Sequence, residues 1–402
     1  MRRRRVKITG IGPVTPAGIG REEFWKGILE PVSRVRPYKG LNSEYGPFVA
    51  SSIESFEIGD FVDRTLLPNG AARQSLFAVA GAILAMRDAG LTSEHLAGTG
   101  CAVVIGSSLM DFGAASSSID AVAKHGARGA KPRTIYTFSI ASIADAVKDV
   151  LKLSARTMAV QSTCCSGLDA IGYAAEMIAK GEVDFALCGG TEAPLHRFPL
   201  LEIRAAGLTP STSEMPERLN RPFDLWRTTG VVGEGASIFV LEPESSPRRG
   251  YSCIAGYAFA SDESDCLCGG IASATRLALA DARMRPAQIE VCNAWGAGHR
   301  EIDAAESRAM TRIYASMLPG LPVVSIKGAL GNALGAAPAI QVAAAVLAQQ
   351  HGLIPPTVNW DYPDPACPLN LSNRSRSLDH GVTIINAHGV AGVNSSLILE
   401  RC

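Results

Sequence analysis

The sequence predicts an α/β fold in which helices cover the faces of β-sheets. Short runs rich in β-branched residues alternate with segments whose apolar residues recur at helical spacing. Hydrophobic residues make up 47% of the 402-residue chain, enough to bury a large core, and the 40 glycines suit many tight turns. An alternation of this kind indicates sheets and helices in layers.

The predicted elements follow one another along the whole chain. Ten strands are expected, at Arg5–Ile11, Gly100–Gly106, Met158–Ser162, Phe185–Gly189, Ala236–Glu242, Ser252–Phe259, Glu290–Asn293, Pro322–Ser325, Val382–Ala387 and Ser395–Arg401. Six helices are expected among them, at Arg73–Ala89, Ser139–Leu151, Leu168–Lys180, Ile271–Ala282, Glu301–Tyr314 and Ala333–Gln350. Because strands and helices are interspersed, the pattern favours a layered architecture.

The stretch from Val160 to Gly167 joins a predicted strand to a predicted helix and contains Cys164. Apolar residues recur at helical spacing from Leu168 onward, so Cys164 lies at or near a helix N-terminus. Unpaired backbone N–H groups and the positive end of the helix dipole are expected there to stabilise a thiolate and lower the pKa of Cys164. Cys164 is therefore the candidate nucleophile. The alternative is a small buried cysteine that only fills space.

Charge and hydropathy narrow the classes of function. Lys plus Arg and Asp plus Glu both number 38, so the formal net charge is zero and nothing directs the chain to nucleic acid or a membrane surface. No window approaches the roughly 18 apolar residues that span a bilayer. The arginines at positions 2–5 run directly into a β-branched strand without an apolar signal core. A cytoplasmic protein is expected.

The ten cysteines do not form a pattern typical of a secreted disulfide framework. Most lie in apolar strand contexts, as do Cys101, Cys188, Cys253 and Cys292. This placement predicts reduced, buried thiols. No metal site is expected.

The residues around Cys164 closely resemble those of the β-ketoacyl synthase family, the condensing enzymes of fatty-acid and polyketide synthesis. The likeness is carried by Cys164-Cys165-Ser166-Gly167-Leu168-Asp169-Ala170 and by the run from Gly181 to Glu192, and it extends from Val6 to Asn394. It implies a thiolase-like fold of five layers, αβαβα, made of two similar halves. The first half would be residues 1–250, with the nucleophile and a dimer-interface insertion, and the second residues 251–402.

The resemblance also implies a substrate class and partners. Family members take acyl groups from a phosphopantetheine thioester, so an acyl carrier protein or coenzyme A is the expected donor, and no bound cofactor is expected. A homodimer, or a heterodimer with a ketosynthase, would form mostly through Asp111–Ala155. Leu109, Phe112 and Phe138 are candidates to line the acyl tunnel, with ordinary core packing as the alternative.

The two active-site histidines of the family are missing. In the pattern Asn-Ala-His-Gly-Thr, Trp295 occupies the histidine position, and its indole can donate one hydrogen bond but cannot shuttle a proton. In the pattern Lys-x-x-x-Gly-His, Lys327 is kept and Asn332 replaces the histidine. The two threonines that bind the pantetheine amides correspond to Ala297 and His299. The departures at Trp295 and Asn332 fall at the centre of the condensing chemistry, and those at Ala297 and His299 fall where the pantetheine arm would bind.

Other positions of the site are kept or altered in a suggestive way. Asp303 and Glu306 are retained, and with Lys327 they are expected to keep a buried polar network that supports the site. His388 stands at the family's gatekeeper phenylalanine, which makes it a candidate base for Cys164, with a structural histidine as the alternative. His299 is a second, weaker candidate base. The backbone N–H groups of Cys164 and Val390 would form the oxyanion hole.

Three functions remain open. The first is an acyltransferase that forms a thioester on Cys164 and passes it on without efficient malonyl decarboxylation, with Asn332 and Trp295 orienting the substrate. The second is a non-condensing partner of an active ketosynthase, akin to a chain-length factor, which explains the missing histidines but not Cys164. An ordinary β-ketoacyl synthase with an altered site ranks third, because losing each enolate-stabilising donor costs several kcal/mol of transition-state stabilisation.

Overall fold

The computed structural model describes residues 4–41, 43–96, 98–263, 266–379 and 381–402. The strands within these ranges are β1 (Val6–Thr15), β2 (Gly18–Ile19), β3 (Arg36–Pro37), β4 (Val49–Ala50), β5 (Cys101–Gly106), β6 (Ala155–Val160), β7 (Phe185–Glu192), β8 (Gly235–Pro243), β9 (Ser252–Ser261), β10 (Val291–Asn293), β11 (Val323–Val324), β12 (Leu353–Ile354), β13 (Arg376–Ser377), β14 (Thr383–Gly389) and β15 (Val393–Glu400). The α-helices are α1 (Arg21–Leu29), α2 (Arg73–Asp88), α3 (Phe112–His125), α4 (Thr134–Thr137), α5 (Ala141–Val150), α6 (Ser166–Lys180), α7 (Arg197–Ala205), α8 (Gly269–Ala282), α9 (Arg300–Tyr314), α10 (Lys327–Leu330) and α11 (Ala337–His351).

All ten predicted strands and all six predicted helices are present, with their ends shifted by a few residues. The sequence pattern does not predict α1, α3, α4, α7 and α10. Two of these, α3 and α4, expose apolar side chains that include Ile119, Val122 and Ile135. Because these side chains face outward, the segment does not show the core-facing stripe by which a helix is recognised.

The strand order repeats in the two halves of the chain. Across the sheet the order is β6-β5-β7-β8-β1 in the first half and β11-β10-β14-β15-β9 in the second. In each half the first three strands are parallel and the remaining two are antiparallel to their neighbours. The halves meet through β1 and β9, where Val6–Ile8 pairs with Ser252–Ile254. Both halves therefore have one topology, 3-2-4-5-1 when the five strands of each are numbered in chain order.

Helices form three layers around these strands. In the middle, α6 packs against α11, while α2 and α5 cover the outer face of the first half and α8 and α9 that of the second. Nearly every residue of α11 is buried, and its alanines, valines and leucines are apolar on all sides, as a helix between two sheets requires. The predicted thiolase-like αβαβα fold is confirmed.

Cys253 in β9 and Cys402 form a disulfide. The prediction of reduced thiols was therefore wrong for Cys253. The reason is that β9 and β15 are neighbouring strands in which Glu400 pairs with Cys253, so the chain end lies beside that sulfur. The other eight cysteines are free thiols. Among the helices of the described ranges, none has the length and apolar character to cross a membrane.

Candidate active site

The turn between β6 and α6 holds Cys164 in front of the first turn of the helix. The preceding residue, Thr163, has a φ of 51°, a left-handed conformation that costs a β-branched residue roughly 1–3 kcal/mol. The Ser166 hydroxyl fixes the turn, because its Oγ accepts from the Ser162 N–H at 3.0 Å and donates to the Thr163 carbonyl at 2.5 Å. The turn thus places Cys164 two residues before the start of α6.

The sulfur of Cys164 lies in surroundings that disfavour a thiolate. Burial raises the pKa of the thiol to about 12, and the nearby Glu192 carboxylate acts in the same direction. The backbone N–H of Val390, which donates to the sulfur, and the amine of Lys327 oppose this shift. The predicted lowering of the Cys164 pKa was wrong, because the loss of hydration outweighs the helix N-terminus. Nucleophilic attack by this thiol therefore requires a base.

A mostly apolar cavity of about 210 Å³ reaches Cys164 from both halves of the chain. The predicted residues that line it are Cys164, Leu109, Trp295, His299, Asn332, His388 and Val390. Phe112 and Phe138, the other tunnel candidates, do not line this cavity, because they lie half-buried at the start of α3 and just after α4. The cavity leaves room for a substrate group next to Cys164.

Trp295 is held from behind the cavity wall by the predicted polar network. The backbone N–H groups of Trp295 and Gly296 donate to the Glu306 carboxylate at 2.8 and 2.9 Å. The Trp295 carbonyl accepts from Lys327 Nζ at 2.6 Å, and the same Nζ lies 3.7 Å from the centroid of the indole ring. This distance is that of a cation–π contact. The network therefore fixes both the backbone and the ring of Trp295.

The Lys327 amine has only neutral acceptors within hydrogen-bond distance among the described residues. Besides the Trp295 carbonyl, it donates to Gln341 Oε1 at 2.9 Å. Burial lowers the pKa of Lys327 and raises that of Glu306. Sequence reasoning misses Gln341, because it lies in the middle of an apolar helix and belongs to no motif. Burial thus shifts both Lys327 and Glu306 towards their neutral forms.

Asp303 fixes the loop that follows Trp295. Its carboxylate accepts from the Phe223 N–H at 2.7 Å and from the Gly298 N–H at 3.1 Å. The Arg227 Nε lies 3.7 Å from the same carboxylate. Burial raises the pKa of Asp303 to about 7. In the described part of the chain, Asp303 therefore holds the backbone N–H groups of Phe223 and Gly298 in place, as expected of a residue that supports the site.

His299 caps helix α9. Its Nδ1 accepts from the backbone N–H groups of Glu301 at 3.3 Å and Ile302 at 3.5 Å. An imidazole that accepts at Nδ1 carries its proton on Nε2. Burial also lowers the pKa of His299. His299 therefore offers the cavity a donor and has no free lone pair with which to take a proton.

Asn332 and His388 face the cavity with their side chains fixed at one end. Asn332 Oδ1 accepts from the Leu334 N–H at 3.2 Å, which leaves its Nδ2 to donate. His388 is buried in β14, and its Nδ1 lies 2.8 Å from Asn394 Oδ1. Within the described residues, Nε2 of His388 and Nδ2 of Asn332 have no protein partner. Both groups are available to a substrate.

Glu192 is a further residue of the site that sequence reasoning misses. Its carboxylate accepts from the N–H groups of Ser108 at 2.7 Å, Leu109 at 3.1 Å and Gly335 at 3.1 Å, and from Ser107 Oγ at 3.1 Å. Burial raises its pKa to about 7. The sequence signal that could have identified Glu192 is an acidic residue at the end of the apolar, glycine-rich strand β7. Glu192 joins cavity walls from both halves of the chain.

No group of three or more His, Cys, Asp or Glu side chains in the described ranges is placed to hold a metal ion. The polar groups that reach the cavity include the Asn332 amide and the imidazoles of His299 and His388. They suit a neutral carbonyl compound such as a thioester.

Two family models match the chain. The model described as beta-ketoacyl synthase, N-terminal domain, matches residues 3–246, and the model described as beta-ketoacyl synthase, C-terminal domain, matches residues 251–361. The two matches together include Cys164, Trp295 and Asn332.

Curated and solved relatives match over the full length. A putative polyketide beta-ketoacyl synthase 1 of Streptomyces virginiae is 32% identical, with 99% of this chain and 98% of the relative covered. The structure of the ishigamide ketosynthase/chain length factor is 30% identical, with a TM-score of 0.92 and 100% of both chains covered. A type II polyketide synthase acyl carrier protein in complex with its ketosynthase, bound to the hexaketide, gives 27% identity, a TM-score of 0.90 and 100% coverage of both chains.

Proposed function

Because the chain belongs to the β-ketoacyl synthase family, we propose that it is an acyltransferase of fatty-acid- or polyketide-type biosynthesis. Cys164 accepts an acyl group from a phosphopantetheine thioester and passes it to an acceptor without efficient malonyl decarboxylation. One observation carries this proposal: the cavity lined by Cys164 is also lined by Trp295 and Asn332, which the resemblance puts at the positions of the two histidines.

Thioester exchange needs a sulfur nucleophile and donors for the oxyanion of the tetrahedral intermediate. The N–H groups of Cys164 and Val390 are the proposed oxyanion hole, with the Val390 N–H already directed at the sulfur. The Nδ2 of Asn332 and the indole N–H of Trp295 are proposed to orient the incoming thioester. All four donors require no change of protonation during the reaction.

Decarboxylation requires more of the groups at positions 295 and 332 than thioester exchange does. Loss of carbon dioxide from a malonyl group leaves an enolate, and an imidazole can both donate a hydrogen bond to it and exchange a proton. The indole N–H of Trp295 and the Nδ2 of Asn332 can donate a hydrogen bond, but neither side chain can exchange a proton. Removal of one such stabilising group lowers kcat by about 10²–10³ in a well-studied case. Two such losses support transfer in preference to condensation.

An acyl carrier protein is the proposed donor, with coenzyme A as the alternative source of the same phosphopantetheine thioester. The support is the similar ketosynthase solved in complex with its carrier protein. The proposed assembly is a homodimer, or a heterodimer with a ketosynthase, in the cytoplasm.

A non-condensing partner subunit is the second candidate. It is favoured by the similarity to the ketosynthase/chain length factor and by the exposed apolar side chains on α3 and α4, which would pair with a ketosynthase. A subunit of this kind has no use for an accessible Cys164. The reactivity of that sulfur therefore separates the two candidates.

Intact-mass spectrometry after incubation with acetyl, hexanoyl and decanoyl carrier-protein thioesters tests the proposal. We expect a mass increase of one acyl group in the wild type and none in C164A. The variant C266A is the matched control, because Cys266 is a free and partly exposed thiol whose removal should leave the adduct intact. Absence of an adduct with every donor would favour the partner subunit.

A further inference from the structure

The imidazole of His388 is held by a chain of side chains that leads away from the cavity. We propose that His388 is the general base that takes the proton from Cys164, and that Asn394, with Asp262 behind it, is the positioning residue that keeps the His388 lone pair on Nε2. This inference rests on the proposed function, because it assigns a role in the acylation of Cys164.

The hydrogen bonds of Asn394 determine which nitrogen of His388 carries the proton. Asn394 Nδ2 donates to Asp262 Oδ1 at 2.8 Å and to the Gly392 carbonyl at 3.0 Å. Both partners can only accept when Asp262 is ionised, so the amide must turn its NH2 towards them and its oxygen towards His388. That oxygen can only accept. The 2.8 Å contact therefore places the proton on His388 Nδ1 and leaves Nε2 as the basic nitrogen.

Asp262 and Asn394 are themselves fixed. Asp262 accepts from the Cys268 N–H at 2.9 Å and from the Gly270 N–H at 2.8 Å, at the start of α8. Asn394 is fully buried and lies opposite His388 in the antiparallel ladder of β14 and β15. A buried, fully bonded amide of this kind cannot rotate without breaking its bonds. The orientation of His388 is set by two strands and one helix.

The end of β14 lies directly on the Cys164 turn. A Cβ added at Gly389, next to His388, would overlap Thr163 Oγ1 and lie 3.1 Å from the Cys164 nitrogen. The N–H of Val390 donates to the Cys164 sulfur. His388 and Cys164 line the same cavity. The backbone thus brings the basic nitrogen and the thiol to one space, where the thiol needs a base.

The proposed step is balanced by these groups alone. His388 Nε2 takes the proton from Cys164 Sγ while the sulfur electron pair forms a bond to the thioester carbonyl carbon. The bond from that carbon to the pantetheine sulfur then breaks, and the leaving thiolate takes the proton back from Nε2. No oxidant or reductant is involved. The imidazolium that forms in between keeps its Nδ1–H bond to Asn394.

Several other titratable groups face this pair. Glu192 at the end of β7 and Lys327 in α10 act on the Cys164 sulfur with opposite signs. His299 lies on the same cavity, where its Nδ1 is already engaged as a helix cap. Asp262 reaches His388 only through Asn394. Among these, His388 alone combines a free basic nitrogen with a position on the wall of the cavity that Cys164 also lines.

The rate of single-turnover acylation of Cys164, measured from pH 5 to 9, tests the inference. For the wild type we expect the rate to rise with the deprotonation of an imidazole and then level off. H388Q should lose about 10²-fold or more at neutral pH and rise steadily with pH, because only the free thiolate then reacts. Added imidazole should restore part of the rate to H388G.

Asn394→Ala separates positioning from catalysis. It should keep the imidazole-dependent rise but react more slowly, because Nδ1 and Nε2 then share the proton. H95Q, at an exposed histidine of a surface turn, is the matched control and should behave as the wild type. Thermal melting identifies any variant that fails to fold.

The outcomes distinguish failure of the His388 proposal from failure of the proposed function on which it rests. An adduct on Cys164 whose pH profile is the same in the wild type and in folded H388Q and H388G would overturn the role of His388 and leave the acyltransferase standing. An unchanged rate in folded N394A would overturn the positioning role. Absence of any adduct in the wild type would overturn both the inference and the proposed function.

Discussion

At the scale of single residues, the chemistry of Cys164 depends on neighbours that lie far away in the sequence. The residues around it predict a helix N-terminus, and the helix is there. The local sequence does not show that the sulfur is buried, or that the carboxylate of Glu192 and the N–H of Val390 act on it. These groups come from other strands and decide the direction of the pKa shift. A local pattern therefore locates the candidate nucleophile but does not give its protonation state.

Lys327 shows the same dependence. Its retention predicts a buried network with Glu306, and both residues do hold Trp295. The acceptor that completes the network, Gln341, is uncharged, and no spacing in the sequence connects it to Lys327. Burial of an amine that has no carboxylate in hydrogen-bond contact lowers its pKa and so favours its neutral form.

This arrangement predicts a pH-dependent contribution to stability. The pKa of Lys327 is lower in the folded than in the unfolded chain, so the unfolded chain binds more protons between the two values, and stability rises with pH there. The free energy of unfolding in urea, wild type minus K327M, should therefore increase from pH 7 to 9, by at most about 1.4 kcal/mol per pH unit.

Gln341→Glu gives the amine a counter-ion in the same place. Because a carboxylate favours the charged amine, the increase with pH should be smaller in the Q341E background. A wild-type-minus-K327M difference that does not change with pH would show that the amine is not perturbed.

At the scale of elements, the strands and core helices follow from periodicity, and the loops between them do not. The ten predicted strands and six predicted helices account for the layers, because each buries a regular apolar face. The cavity is built from segments that lack such a face, including the loop after β5 and the turn before α11. Glu192 ties these two segments together, and its bond to the Gly335 N–H forms only when the halves are docked.

Glu192→Gln tests this link between elements. Both carboxylate oxygens accept from N–H or O–H donors, and an amide NH2 would oppose one of the two sets. We expect E192Q to lose about 1–3 kcal/mol of unfolding free energy at pH 7, measured in urea. E202Q, at an exposed position of α7, is the matched control and should stay within about 0.5 kcal/mol of the wild type. Equal stabilities of the two variants would contradict the assignment.

At the scale of the whole molecule, the segment between β5 and β6 leaves a large apolar face in contact with solvent. Ile135 is 85% exposed and Ile119 64%, and Val122 and Tyr136 lie on the same segment. Exposed apolar groups in this number mark a protein interface. The edge strand β6 follows directly. This is the segment for which the resemblance implies a dimer interface.

Ile135→Glu should therefore separate the subunits. In light scattering after size exclusion, we expect the wild type to have twice the mass of the chain and I135E to have the mass of one chain. L277E, at an exposed leucine on the outer face of α8, is the control and should remain a dimer. A dimer that persists in I135E would place the interface elsewhere. A monomeric wild type that binds a ketosynthase through Ile135 would indicate the heterodimer.

In the proposed function, Cys164 transfers acyl groups at a site where Trp295 and Asn332 do not support condensation. One reaction tests it most directly: the protein is given an acyl carrier-protein thioester together with malonyl carrier protein labelled at its free carboxylate, and the acyl-enzyme and the released labelled carbon dioxide are counted together. We expect one acyl group per Cys164, absent in C164A, and no carbon dioxide above the rate without protein. Release of carbon dioxide in step with a chain-extended product would contradict it.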